Sequence, residues 1–229
     1  MLGSKMTEAN LIENGFVLVA PFLDPVELSI YESAVSDVNE SSIASRNLLD
    51  LTWCQDLATK IRGKLNNMGL LPKNSVAVQC TYFAKSVEQN WLVPVHQDLS
   101  IPVAEKIQHP DLSGWTLKDG VNFVQPPDYV LDELVAVRIH LDDCGITDGP
   151  LRIVAGSHKF GRVPNSEALS LRGHIGETVC PVRKGGALLM KPLVLHASSK
   201  SSGNHHRRVL HFVFGPPVLP FGLTWNFWS

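Results

Sequence analysis

The chain has 229 residues, 44% of them hydrophobic and 18% charged, enough apolar material to bury one large core. A formal net charge of −2 leaves no broad basic face, which excludes a protein built mainly for nucleic acid or an anionic membrane. No apolar run approaches the roughly 20 residues that span a bilayer. The N-terminal MLGSKMTEANLIENG lacks a signal-peptide pattern, and Cys54, Cys80, Cys144 and Cys180 form no CxxC pair, so the expectation is a cytoplasmic protein with buried thiols.

In chain order, the apolar run GFVLVAPFL (15–23) reads as a strand. Asp24, Pro25 and Glu27 follow as N-cap, first helical residue and capping-box acid of a helix running to about Val38. Asp50 reads as the cap of a second helix, with Leu51, Cys54, Leu57, Ala58, Ile61 and Leu65 on one face, and Gly69 and Pro72 ending it. The texture then changes to short strands, at about 76–83, 92–97, 134–142, 150–154, 177–182, 187–191, 193–198 and 207–215, separated by Gly, Pro, Asn and Asp. That pattern predicts a mainly-β fold with N-terminal helices, a sandwich or barrel, as a single domain over 1–229. The segment from Ile101 to Tyr129 reads as irregular, and a stretch at about 101–131 is expected to be a lid-like insertion.

The His-x-Asp pattern occurs three times, at His96/Asp98, His109/Asp111 and His140/Asp142, so alone it is weak. Pro110 argues for a loop turn at the second pair. The first and third each place both side chains on one face of a strand. A third donor discriminates between them. His196 ends the apolar stretch LVLHAS, and two histidines with one carboxylate leave the opposite face of an iron open. In a double-stranded β-helix the early pair and the late histidine are distant in sequence and adjacent in space. The 98 positions from Asp98 to His196 accommodate the intervening strands and a lid, whereas the 54 from Asp142 hold about three strands, which favours His96/Asp98.

Eleven residues after His196, Arg207 and Arg208 open an apolar strand and point to opposite faces. One of them can be solvated while the other enters the barrel. A buried guanidinium needs an anion, and no carboxylate lies nearby in sequence. A bound dicarboxylate would supply one by a bidentate contact; the bland reading is two arginines on an edge strand.

Together, HQDL (96–99), LDDCGITDGPLRIVAGSHKFG (141–161) and HASSKSSGNHHRRVLHF (196–212) resemble the phytanoyl-CoA dioxygenase family, in the manner of its small bacterial-type members. The likeness runs from about Gly15 to Phe214. It implies a double-stranded β-helix (jelly-roll, cupin-like) core and a non-haem Fe(II), 2-oxoglutarate-dependent dioxygenase consuming O2. It implies His96, Asp98 and His196 as iron ligands, Arg207 on the distal carboxylate of 2-oxoglutarate with Ser198 beside it, and Gln79 next to the co-substrate. Thr81, Phe83 and Lys85 share the face of Gln79 and are expected along the same pocket. Arg138 falls where relatives place a residue facing the active site; its charge suits either the other end of 2-oxoglutarate or an acidic group on the substrate.

Other residues carry two readings. His140 is either pocket lining or a satisfied core histidine, and Trp91 and Trp115 suit either packing or a substrate platform. His158 is expected in a structural turn, Asp142 and Asp143 as loop caps, and His211 packed beside Arg207.

The implied reaction is hydroxylation of an unactivated C–H bond with release of succinate and CO2. Aspartate at 98, rather than Gly or Ala, argues against a halide site. Desaturation, demethylation and ring formation stay open. Because His and carboxylate also suit zinc, a zinc hydrolase or lyase is a competing expectation, as is a non-catalytic binding module. A buried Arg207 is what separates the oxygenase from the zinc enzyme; the binding module predicts no 2-oxoglutarate affinity and no loss of function on changing His96. No Lys/Arg cluster marks a CoA site, so the expected partner is a small metabolite, carboxylated or otherwise polar, read from Arg138 and Lys85.

Overall fold

The computed structural model describes residues 2–36, 38, 44–203 and 206–229, with 2–6, 44 and 45 as backbone. Helix α1 (Leu2–Asn14) leads into strand β1 (Phe16–Val19), then α2 (Pro25–Val35), β2 (Ala44–Ser45) and α3 (Thr52–Asn67). The capping box starting α2 is formed as the sequence indicates. Asp24 accepts from the amides of Val26 and Glu27, both at 2.9 Å, and Glu27 returns a bond to the Asp24 amide at 3.2 Å. The helix stops at Val35 rather than Val38. Asp50 does not cap α3: it lies in a 3-10 turn, Leu48–Asp50, and Leu51 occupies the N-cap position without a side-chain bond. Leu51 is exposed, while Cys54, Leu57, Ala58, Ile61 and Leu65 are buried on the expected face.

The remaining elements are β3 (Val76–Lys85), β4 (Val93–His96), β5 (Ile101–Val103), β6 (Ser113–Lys118), β7 (Val121–Gln125), α4 (Asp128–Asp132), β8 (Val135–His140), β9 (Leu151–Ile153), α5 (Asn165–Ile175), β10 (Thr178–Cys180), β11 (Ala187–Met190), β12 (His196–Ser198) and β13 (Arg207–Gly215). A six-stranded sheet has the order β1-β11-β8-β13-β3-β2 and a four-stranded sheet the order β10-β9-β12-β4, all pairs antiparallel. From β8 onward the chain passes between them: β8 in the large sheet, β9 and β10 in the small, β11 in the large, β12 in the small, β13 in the large. This alternation is the double-stranded β-helix.

Side-chain alternation assigns the two faces of the large sheet. Cys80, Tyr82, Ala84, Val137, Ile139, Leu210 and Phe212 pack with the buried faces of α2 and α3 in one core. Ala136, Leu188 and Met190 point the other way and join Leu151, Ile153 and Val194 in a second core shared with the small sheet. Gln79, Thr81, Phe83, Arg138, Arg207 and His211 occupy this same inner side where a cavity opens instead. All four cysteines are free and buried, and no described helix is long and apolar enough to cross a membrane.

The segment read as irregular is a third sheet, β5-β7-β6. Lys118 pairs with Val121 across a two-residue turn in which Asp119 (φ 50°) and Gly120 (φ 79°) both have positive φ, the backbone that an Asp-Gly hairpin favours. Its own Ile101, Val103 and Val124 pack with Leu131, Leu193 and Trp225, so the aromatic C-terminal segment anchors this sheet.

The α2–α3 contact yields a pH prediction. Glu27 binds Lys64 at 2.7 Å and Lys60 at 3.1 Å. The Lys64 hydrogen bond, outweighing partial burial, lowers its carboxyl from 4.5 to about 2. A depressed carboxylate contributes stability that is fully present above the unfolded value and is lost as pH falls from about 4.5 through about 2. Glu27→Gln is expected to flatten that part of the acid-unfolding curve, measured by denaturant melts at successive pH values.

Candidate active site

Cross-strand pairing brings the metal-ligating candidates together. His196 on β12 is the register partner of His96 at the end of β4, and their rings stand 4.2 Å apart between centroids, tilted by 51°. Asp98 follows two residues later, with His96 Nε2 at 3.7 Å and His196 Nε2 at 3.8 Å from its carboxylate oxygens. One donor atom from each of the three residues lies within 4.8 Å of the others.

Both imidazoles are oriented by the same device. His96 Nδ1 donates to the Pro94 carbonyl and His196 Nδ1 to the Val194 carbonyl, each at 2.9 Å. With the hydrogen held on Nδ1, each Nε2 lone pair faces Asp98, the arrangement a metal requires. Burial lowers His196 from 6.5 to about 4, so it is neutral at physiological pH. Burial raises the Asp98 carboxyl, but His196, His211, His96 and Arg138 together outweigh it, and its pKa is lowered. The donor set therefore fits a divalent metal: two imidazoles that turn Nε2 toward one carboxylate.

Gln97 sets the turn between His96 and Asp98. Its amide donates to the carbonyls of Gly161 (2.8 Å) and Leu193 (2.6 Å) and accepts from the Val163 amide (2.8 Å). The residue that alternation turns away from the site thus ties β4 to two other segments.

A cavity of about 510 Å³ opens on the triad. Of the residues singled out from the sequence, Gln79, Thr81, Phe83, Arg138, Ser198 and Arg207 line it together with the triad. Arg207 is 4% exposed, and its Nη1 donates to the Gly149 carbonyl while its Nε finds no partner. Gly149 has φ 66°, and a methyl there would meet the Ser199 carbonyl oxygen at 2.5 Å, so glycine alone presents this carbonyl. Arg208 goes the other way, to Asp142 (2.9 and 2.8 Å) and Glu32 (3.2 Å). Asp142 is therefore an ion-pair partner rather than a local loop cap, and Asp143 accepts from the distant Lys184 amide. Among the described residues no carboxylate pairs with Arg207, Arg138 or Lys85.

Three expected pocket residues lie elsewhere. Lys85 is wholly buried behind the wall, bonded to Ser198 Oγ at 3.2 Å and the Ser199 carbonyl at 2.8 Å, with its ammonium over Trp91 at 5.1 Å. Burial, then Arg207 and Arg138, lower it from 10.5 to about 7. His140 is buried off the cavity, and it is not satisfied either, because its Nδ1 has no partner. Trp115 packs on the core beneath the insertion, with Lys106 over its ring at 5.8 Å. His158 holds the expected structural turn by bonding the Ile12 carbonyl at 3.0 Å.

The cavity also takes in Arg46, Trp91, Lys118, Phe123, Gln125 and His211. His211 shares the face of Arg207 as the sequence indicates, but it bonds Arg138 and meets Phe83 rather than packing beside Arg207; nothing in the sequence ties Arg46 or Lys118 to the site.

Residues 11–209 match the family model described as Phytanoyl-CoA dioxygenase (PhyH). The chain belongs to this family. Membership makes it an Fe(II)/2-oxoglutarate-dependent enzyme, as the resemblance implied. No curated protein sequence matches it. Among solved structures it is similar to SnoN, the non-haem α-ketoglutarate-dependent epimerase of nogalamycin biosynthesis, at 16% identity and TM-score 0.71, over 98% of this chain and 86% of SnoN. It is similar to HygX of Streptomyces hygroscopicus, solved with nickel and 2-oxoglutarate, at 16% identity and TM-score 0.64, over 93% and 86% of the two chains. EctD of S. alaskensis matches at 11% identity and TM-score 0.65, over 92% and 76%. At these identities the likeness is one of fold.

Gln97→Ala would strand two carbonyls and an amide, and unpaired buried groups cost about 1–3 kcal/mol each. The expected outcome is a stability loss of roughly 3 kcal/mol in denaturant unfolding, with weaker metal uptake in a calorimetric titration.

Proposed function

We propose that the chain hydroxylates an unactivated C–H bond of a small polar metabolite, with His96, Asp98 and His196 holding Fe(II) and Arg207 holding 2-oxoglutarate. The observation that carries this reading is the inward arginine. Arg207 is buried on the cavity that holds the triad, and no carboxylate pairs with it among the described residues. A buried cation without an anion costs several kcal/mol, and the distal carboxylate of 2-oxoglutarate would offset that cost. A zinc hydrolase has no use for such a group.

When bound, iron and 2-oxoglutarate with O2 supply the oxidising chemistry, 2-oxoglutarate being decarboxylated to succinate and CO2. The protein's own residues bind and orient. The Pro94 and Val194 carbonyls fix the two imidazoles for iron. Ser198, held by Lys85, adds a hydroxyl beside Arg207, and Gln79 flanks the co-substrate with its amide held by Thr81 at 3.0 Å. Phe83, Trp91 and Phe123 exclude water from the remaining volume. Four free, buried thiols accord with a reducing cytoplasmic setting.

A second reading concerns the product. SnoN is named as an epimerase and SnoK as a carbocyclase, and removal of a hydrogen from carbon begins those reactions as well as hydroxylation. Mass analysis of the product separates them: gain of one oxygen upholds hydroxylation, and an unchanged mass or loss of two hydrogens overturns it.

The reading is tested by adding Fe(II) and 2-oxoglutarate anaerobically and following the weak visible charge-transfer band of the chelate. The band is expected in wild type and absent in His96→Ala. Arg207→Ala is expected to need on the order of 100-fold more 2-oxoglutarate, the usual cost of removing one partner of a buried charged pair. Asp98→Ala is expected to release no succinate. No band at saturating 2-oxoglutarate would sink the proposal.

Lys85 adds a pH dependence. With its pKa near 7, it is charged below that pH and must take up a proton above it to favour a nearby dianion. The 2-oxoglutarate concentration that half-saturates the band is therefore expected to rise as pH climbs above about 7, and Lys85→Met is expected to remove that rise.

A further inference from the structure

Arg138 is left over once those roles are assigned. It is 8% exposed and lines the cavity from β8. Its guanidinium makes one hydrogen bond, from Nη1 to His211 Nδ1 at 2.9 Å, and its buried Nε has no partner. No ion pair reaches it among the described residues. An arginine does not shed its proton, and the one carboxylate that acts on it, Asp98, belongs to the metal triad, so the charge calls for an anion from outside the chain.

We infer that Arg138 and His211 form the subsite for a carboxylate carried by the substrate itself, distinct from 2-oxoglutarate. This rests on the co-substrate reading above. His211 accepts the Arg138 bond through Nδ1, so its one hydrogen sits on Nε2, and the imidazole can only donate there. The wall at this point thus offers donors alone: the free edge of the guanidinium and an imidazole N–H. Such a set recognises an anion and rejects a neutral amide, which would bring an N–H of its own against them.

Charge accounting points the same way. Asp98 and one carboxylate of 2-oxoglutarate would go to the metal, and the other carboxylate to Arg207. Arg138 is then unbalanced. One guanidinium beside a neutral imidazole balances a single negative charge, which favours a carboxylate over a phosphate dianion. Of the other cations on the cavity, Arg46 is already paired with Asp119 at 2.9 Å, and Lys118 lies apart, its ammonium over the Phe123 ring at 4.7 Å. The surroundings define the rest of the substrate. Arg138 lies over the Phe83 ring at 5.5 Å, the His211 ring meets Phe83 edge-on at 6.0 Å, and Leu99 and Phe123 line the same volume. The class is an organic carboxylate whose body presents an apolar face.

The test uses benzoate and its neutral isostere benzamide, titrated calorimetrically into the anaerobic Fe(II) protein at saturating 2-oxoglutarate. Benzoate is expected to bind wild type about tenfold or more tightly than benzamide, in line with a charge-assisted hydrogen bond. Arg138→Gln is expected to erase the preference while the half-saturating 2-oxoglutarate of the visible band moves less than about threefold. His211→Phe, which keeps the ring against Phe83 and removes the N–H, is expected to reduce the preference severalfold and guards against a folding defect in the first variant. Equal binding of benzoate and benzamide by wild type overturns the inference. So does an Arg138→Gln protein that needs tenfold or more extra 2-oxoglutarate, because the arginine then serves the co-substrate. A band without a benzoate preference removes the subsite and keeps the oxygenase. A preference that depends on Arg138 without any band removes the oxygenase and keeps the subsite.

Discussion

Three cations, Lys85, Arg138 and Arg207, are buried on the inner side of one sheet with no carboxylate partner among the described residues. Burial of unpaired charge opposes folding, so the surrounding structure must carry it. The three come from β3, β8 and β13, which lie side by side in the large sheet. Arg207 pairs in register with Lys85, and His211 with Arg138. The opposite face of the same strands is packed by α2 and α3 through fully buried Leu57, Ile61, Tyr82 and Phe212. That apolar packing holds a region that would otherwise take in water to solvate its charges. The cost is offset locally by a carbonyl for Arg207, a hydroxyl and a carbonyl for Lys85, and a neutral imidazole for Arg138.

The metal-ligating triad rests on a different support. Its two histidines come from the small sheet and Asp98 from the segment just past β4, where pairing of His196 with His96 and the three bonds of Gln97 set the geometry. Charge is thus assembled on one sheet and metal donors on the other. The reacting volume between them is open because the second core, around Ile153, Leu188 and Met190, fills only part of the space between the sheets.

Much of this was legible in the sequence, for reasons that can be named. A period of two places His96 with Asp98 and splits Arg207 from Arg208, and the structure has Arg207 inward and Arg208 on Asp142. Alternation gives a face but not depth. Lys85 shares the side of Gln79, Thr81 and Phe83, yet it sits at the strand end where Ser198 and Trp91 close over it. Helix α1 was missed because Leu11 is its one buried residue among those with described side chains, which makes no stripe. The strands between Ile101 and Gln125 were missed although Asp119-Gly120 is a hairpin signal, since β5 has only three residues and β6 is mostly exposed. The bond from Arg138 to His211 depends on strand register 73 residues apart, which no local pattern encodes.

The β5-β7-β6 sheet supplies Lys118, Phe123 and Gln125 to the cavity, but it hydrogen-bonds as a separate sheet and stands on its own apolar footing of Leu131, Leu193 and Trp225. None of its strands pairs with β4 or β12, which carry the histidines. Changes in the Lys118–Val121 hairpin therefore reshape what enters the pocket without shifting the register of the metal donors. One part of the cavity wall is thus built on a sheet that shares no strand with the one carrying the two histidines.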